Sequence, residues 1–307
     1  SLDAFEVLEA LLAQADVLTE NYRGGTMEKL GYGWDTLHER YPRLIYAATS
    51  GFGHTGPYKT RAAYDMVVQG MGGIMSLTGH PGSEPTRVGS SVGDITAGLF
   101  TATAVNGALY DREQTGNGIK LDVAMLDCQV AILENAIARY FATGEIPGPI
   151  GARHPSITPF AAYRAADGYV IIAVTSDDLF GVVADILGRP EMAVDPRFTT
   201  NDLRTQHHEA VKTELEIGLV TNTVEHWLAK LDAARVPCGP LNNVEQVLNE
   251  PQVAARNMVV EAPSGTGRQI KMAGNPIKTS AYEDPKTRGK TPELDGDRVE
   301  ILKELGL

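Results

Sequence analysis

The stretch "KLDVAMLDCQVAILENAI", Lys120 to Ile137, carries a lone carboxylate, Asp127, where strand-like alternation gives way to helical spacing. An acid in the first turn of a helix is favoured by the helix dipole and by free backbone N–H groups. Two roles follow. It is a helix-start carboxylate, the commonest use of such acids, or it is a nucleophile at the C-terminal edge of a sheet, where α/β proteins bind ligands. Position alone does not choose between them. A second cluster, "ENYRGGTMEKLG" (Glu20 to Gly31), combines a Gly24–Gly25 turn, a capping candidate in Thr26 and two cations, Arg23 and Lys29. In kind it suits a phosphate, although it is neither GxGxxG nor a P-loop. The bland alternative is a turn with two solvated cations.

Three further sites are weaker. "TSGFGHTGPY" (Thr49 to Tyr58) is a Gly-rich exit from a strand, able to line a ligand with backbone, and its His54 is either a base or, more often for a lone loop histidine, polar surface. Tyr64 and Asp65 open one helix and Asp94 the next, and for Asp94 capping is the preferred reading. Tyr64 either turns its hydroxyl into a crevice or packs as an amphipathic ring.

The elements that must position these groups alternate between helical and extended patterns. Helical spacing covers Leu2–Gln14, extended patterns cover Ala15–Tyr22 and Arg43–Gly53, and short helices lie between them. Tyr64–Gly79 reads as one Gly-rich helix able to approach a neighbour closely, and Gly93–Glu113 as a long helix packed on several sides. Such alternation predicts a largely parallel sheet. A Pro- and Gly-rich stretch then interrupts the pattern, and a strand and three helices follow it. The predicted organisation is a large Rossmann-like α/β domain over 1–143, a linker over 144–158, a smaller α/β domain over 159–270, and a segment 271–307 that returns to the large domain.

The 307 residues are 43% hydrophobic and 21% charged, with a net charge of −12, as in ordinary globular chains and not in nucleic-acid or anionic-membrane binders. No apolar run reaches the roughly 20 residues of a membrane span. Cys128 and Cys238, without a CxxC motif, read as two buried thiols in a reducing cytosol. The histidines show no zinc spacing, and His207 and His208 read as a surface pair. The expectation is a cytoplasmic protein without metal, nucleic-acid partner or membrane contact.

Taken in order, "ADVLTENYRGGTMEKLG", "LIYAATSGFGHTGPY", "AAYDMVVQGMGGIMSLTG", "VGSSVGDITAGLFTATAVNGALYDREQTGNG", "LDVAMLDCQVAILENAIARYFATG", "HPSITPFAAYRAADGYVIIAV" and "VPCGPLNNVEQVL" resemble the class III CoA-transferase family over nearly the whole chain. The later blocks look most like members acting on small carboxylates such as oxalate or formate. The resemblance implies that Asp127 is the catalytic carboxylate, working through an aspartyl anhydride and an aspartyl-CoA thioester. It implies that Asn21, Tyr22 and Lys29 contact CoA, with Arg23 adding charge beside them, and that Tyr64 and Asp65 lie beside the reacting group. It further implies CoA and acyl-CoA as substrates, no tightly bound cofactor, an interlocked homodimer, and βα structure ahead of the point matching Ser1 that adds CoA contacts and an oxyanion-stabilising side chain. Thr175 and Ser176 stand where the family's small-domain loop commonly has glycine and asparagine, and a histidine-containing turn before the last helix is missing. Two rival readings stand beside it. A 2-methylacyl-CoA racemase shares the fold but needs a second base, a histidine on the helix over Tyr64–Gly79, where Ser76 stands near the matching place; Asp177 lies near another racemase acid. The other rival is an inactive CoA-binding subunit.

Overall fold

A computed structural model describes residues 4–307. The chain divides into two compact units, one holding the chain up to Gly151 together with Glu300–Leu307, the other Ala152–Val299. The division falls inside the Pro/Gly-rich stretch 144–158.

The first unit is built on three parallel strands in the order β1-β2-β3. Helix α1 (Ala4–Leu12) precedes β1 (Val17–Glu20); α2 (Thr26–Lys29) and α3 (Trp34–Arg40) cross to β2 (Ile45–Ser50). Then α4 (Asp65–Met71), α5 (Ile74–Leu77) and the 24-residue α6 (Val92–Thr115) cross to β3 (Lys120–Ala124), which runs straight into α7 (Met125–Ile132) and α8 (Glu134–Thr143). Strand β2 is central, pairing Val17 with Ile45 on one side and Tyr46 with Lys120 on the other. Ile45, Tyr46, Ala47 and Ala48 are all fully buried, which explains a continuous apolar run in place of alternation. One core cluster joins Leu12, Met27, Tyr32, Leu37, Leu44, Tyr46 and Ala48, and another joins Val68, Ala97, Met125 and Cys128 under the α4–α7 contact. Arg112, buried near the end of α6, donates to the carbonyls of Asp16 and Arg43 and to the Asp16 carboxylate, fixing that helix to the N-terminal ends of β1 and β2.

Two readings of helices are corrected. The Tyr64–Gly79 segment is not one helix. It breaks at Gly72–Gly73, where Gly73 takes a left-handed φ of +89°. Close approach is nonetheless what the glycines allow, since a Cβ on Gly72 would lie 2.4 Å from Cβ of Gln129 on α7. The helix opening at Met125 also breaks, at Glu134 with φ +21°.

The second unit carries an antiparallel sheet β4-β5-β6: Phe160–Arg164, Tyr169–Ala173 and Cys238–Pro240. Between β5 and β6 run α9 (Asp177–Ile186), α10 (Asn201–Gln206), α11 (His208–Leu219) and α12 (Val224–Ala233). Their apolar faces share one core with Ile172, Phe180, Phe198, Leu215 and Trp227. Side-chain caps set three of the starts: Ser176 for α9, Thr200 for α10 and Thr223 for α12. Then α13 (Val244–Leu248), with a capping box from Asn243 and Gln246, and α14 (Pro251–Ala255) lead to an antiparallel hairpin, β7 (Val259–Pro263) and β8 (Gln269–Ala273). Helix α15 (Arg298–Glu304) straddles the division, its residues from Glu300 on belonging to the first unit. No helix among the described residues is long and apolar enough to cross a membrane.

Candidate active site

The C-terminal ends of β1, β2 and β3 open on the same side because the strands are parallel, and the chemistry-bearing residues gather there. Asp127 lies in the first turn of α7, three residues past the end of β3. The N–H of Leu126 donates to the carbonyl of Gly51 at 3.1 Å, tying this joint to the exit of β2. The Asp127 side chain is exposed, and among the described residues it takes part in no hydrogen bond or ion pair. An acid serving as a cap would accept from a backbone N–H of its own helix, and Asp127 does not. Its neighbour Cys128 is buried; burial first, and the Asp127 charge second, push that thiol up and keep it protonated. Of the two adjacent nucleophile candidates, only the carboxylate is accessible.

A cavity of about 980 Å³ opens at these strand ends. Its walls include Asn21 after β1, Ser50 and Gly51 after β2, Tyr64 before α4, Asp94 on α6 and Met125 at the start of α7. Tyr64 is 82% exposed, so its hydroxyl is free to meet a ligand and the core-ring reading is excluded. Asp65 is committed differently. One oxygen accepts the N–H of Gly93 at 2.8 Å and the other accepts the Gln69 amide at 2.8 Å. It therefore satisfies a donor at the start of α6. Asp94, read as the cap there, makes no such bond and instead lines the cavity, where burial first and Asp65 second raise its pKa.

The turn after β1 separates its residues. Asn21 faces the large cavity, while Tyr22 lines a smaller, mostly apolar recess of about 240 Å³ with Leu18, Met27 and Tyr32. Arg23 and Lys29 are exposed, and among the described residues their side chains have no carboxylate partner. Both charges are thus available to an anion. Gly25, in a left-handed conformation with φ +88°, occupies the cap position of α2, so Thr26 is the first helical residue and not its cap. Arg23, Lys29, Tyr22, Asp65 and Asp127 are not walls of the 980 Å³ cavity itself.

The sequence misplaced His54. Its side chain is only 6% exposed, 3.4 Å from the carboxylate of Glu20, where surface was expected. The signal available was "TSGFGH", since a Gly-rich exit from a buried strand folds back over the sheet end. Cys238 is half-buried, with its thiol donating weakly to Asp232. His207 is exposed at the junction of α10 and α11, and His208 leans on Thr205 and Glu209. Among the described residues no group of three or more His, Cys, Asp or Glu side chains is arranged to hold a metal ion.

The parallel sheet, the cavity at its C-terminal edge and an unpartnered carboxylate at a strand–helix joint are features of a ligand-binding α/β protein. Residues 2–298 match the model of CoA-transferase family III. The chain belongs to that family and is an enzyme of the class III CoA-transferase type. It is 43% identical over 295 residues to the acetyl-CoA:oxalate CoA-transferase of Acetobacter aceti, covering 96% of this chain and 75% of that protein. It is 35% identical over 303 residues to the succinate–glutarate CoA-transferase of Agrobacterium fabrum, covering 97% and 74%. Among solved structures, a CaiB/BaiF family protein from Brucella suis superposes with a TM-score of 0.84 at 38% identity, covering 98% of this chain and 78% of that one.

Proposed function

We propose that the chain moves CoA from an acyl-CoA to a small carboxylic acid, with Asp127 as the covalent carrier. The observation that carries this reading is the free, exposed Asp127 carboxylate at the β3–α7 joint. A carboxylate oxygen of Asp127 attacks the thioester carbon; the C–S bond breaks and CoA leaves as thiolate, forming a mixed anhydride. The thiolate then attacks the aspartyl carbonyl, giving an aspartyl-CoA thioester and releasing the donor acid. The acceptor carboxylate attacks the carbonyl of that thioester, the C–S bond breaks and a second mixed anhydride forms; the expelled thiolate attacks the acceptor's carbonyl in it, giving the new acyl-CoA and restoring the Asp127 carboxylate. Electrons and protons balance without an added acid, because each step exchanges one anionic leaving group for another.

Asn21, Tyr22, Arg23 and Lys29 are the proposed CoA contacts, the two free cations meeting phosphate oxygens. Tyr64 is proposed to act beside the acyl group, with Asp65 holding the start of α6 behind it. The names of the relatives point to small dicarboxylates, and oxalate is the first acceptor to try. A homodimer, a cytoplasmic location and the absence of a tightly bound cofactor belong to the same proposal. The racemase reading loses ground because α4 and α5 carry no histidine, and Ser76 turns its hydroxyl to the Gly73 carbonyl.

Asp127→Ala is expected to lower transfer between acetyl-CoA and oxalate by at least about a thousandfold while leaving the fold intact. Hydroxylamine added after acetyl-CoA should trap the wild-type aspartyl thioester as a hydroxamate at Asp127 and find none in the variant. Turnover by the alanine form, or trapping at another residue, would reject the assignment.

A further inference from the structure

We propose that Glu20 and His54 are positioning residues: a buried carboxylate–imidazole pair that seats the Asn21–Gly25 turn and so sets affinity for CoA. The proposal rests on the assignment of that turn to CoA made above. Glu20 is the last residue of β1 and is 9% exposed. One carboxylate oxygen accepts the backbone N–H of Tyr22 at 2.7 Å. The other accepts the hydroxyl of Tyr46, itself fully buried on β2, at 3.1 Å, and lies 3.4 Å from Nε2 of His54. Burial, reinforced by the Glu20 charge and hydrogen bond, pushes the Tyr46 phenol well above the usual range, so it serves as a donor.

The far end of the turn passes close to the same imidazole. A Cβ on Gly24 would lie 3.4 Å from Cδ2 of His54 and 2.6 Å from the carbonyl oxygen of Lys59. The His54 ring is buried, and among the described residues neither nitrogen has a hydrogen-bond partner. In turn the His54 backbone N–H donates to the Asp122 carboxylate at 3.0 Å, which locks this loop onto β3. The turn is thus held at its start by Glu20, and at Gly24 it passes so close to the Lys59 carbonyl and the His54 ring that a side chain has no room.

Burying a carboxylate is unfavourable, and an apolar side chain would fill the same place more cheaply. What only an acceptor achieves here is to fix the direction of the Asn21–Tyr22 peptide. That peptide decides which side chain faces which space: Asn21 the large cavity, Tyr22 the small apolar recess. Releasing the Tyr22 N–H lets the peptide rotate and moves both side chains together. The consequence falls on binding of the CoA moiety and not on the bond-making atoms at Asp127.

The test is CoA affinity by calorimetry on the full chain, with steady-state kinetics beside it. Glu20→Ala should weaken CoA binding and raise the KM for acetyl-CoA about tenfold, with kcat at saturation falling less than about threefold. The oxalate KM should not move. Glu20→Gln retains an acceptor for the Tyr22 N–H and should recover affinity to within about threefold of wild type. Should Glu20→Ala fail to fold, His54→Leu, which keeps bulk but removes the polar ring, should still weaken CoA binding several-fold. Unchanged affinity in the folded variants, or an equal loss in kcat and kcat/KM, overturns the proposal. Asn21→Ala and Tyr22→Ala separate the two claims. If they weaken CoA binding and the Glu20 and His54 variants do not, only the positioning role fails; if they too leave it unchanged, the assignment of the turn to CoA fails with it.

Discussion

Substituting Gly72 should disable the nucleophile without touching it. Gly72 ends α4, and a Cβ there would sit 2.4 Å from Cβ of Gln129 and 3.1 Å from its Cγ. Gln129 is fully buried, donates to Thr96 at 3.1 Å and lies two residues past Asp127 on the same helix. It has no room to retreat, because Met125 and Cys128 of α7 are packed with Val68 and Ala97 in the core. Gly72→Ala must therefore shift α4 and α7 apart. Overpacking of this kind costs about 1–3 kcal/mol, or a drop of roughly 2–12 °C in Tm for a domain of this size. A displacement near 1 Å at the first turn of α7 would lower transfer about a hundredfold, since covalent catalysis depends on attack geometry. Calorimetric melting gives the first quantity and acetyl-CoA:oxalate exchange gives the second. The control is Gly72→Ala with Gln129→Gly, which removes the Gln129 Cβ and should recover part of the rate, the methyl still lying 2.7 Å from the Val68 carbonyl and a helix-interior glycine costing about 1 kcal/mol. Wild-type rate and Tm in the single variant, or no recovery in the double, would show that the α4–α7 contact does not hold Asp127 in place.

Two further predictions concern the second unit. Arg204, 1% exposed, donates to the carbonyls of Thr158 and Phe198 at 2.8 Å each and to Asp177 at 2.7 Å, and lies 4.6 Å from the Phe180 ring centroid. Arg204→Met keeps the apolar stem but strands two buried carbonyls, so stability should fall by about 2–5 kcal/mol in urea denaturation followed by circular dichroism, and an unmoved midpoint would refute the anchoring role. Asp195 is held down to about 2 by the guanidinium of Arg197. Because its folded pKa lies below the unfolded value near 4, the pair stabilises above about pH 4 and loses that effect as pH falls toward 2. Melting temperatures of wild type and Asp195→Asn should accordingly differ at pH 6, wild type higher, and converge near pH 2; a gap that widens in acid would reverse the sign.

Much of the site was readable residue by residue where the relevant physics is local. Asp127 falls in the first turn of α7, as the change from alternation to helical spacing implies, and Tyr64 stands exposed just before α4. The alternation of short helices with apolar runs was enough for a parallel sheet. Local reasoning failed where a distant partner decides. Asp94 occupies a position that usually caps a helix, yet Asp65, 28 residues earlier in hydrogen-bonding to Gly93, takes over the donor and leaves Asp94 to the cavity wall. Thr26 was displaced as a cap by Gly25, whose left-handed backbone turns the chain one residue earlier.

By itself the sequence determined the alternation of helices and strands in the first unit and the carboxylate at a strand–helix junction, because periodicity and first-turn chemistry act over a few residues. Only the tertiary structure decided that Glu20, Tyr46 and His54 meet in a buried cluster, and that Gly72 has no space for a methyl group beside Gln129. Those outcomes depend on which surfaces the sheet and its crossing helices bring into contact, and burial and close packing are properties of such contacts and not of any one stretch of chain.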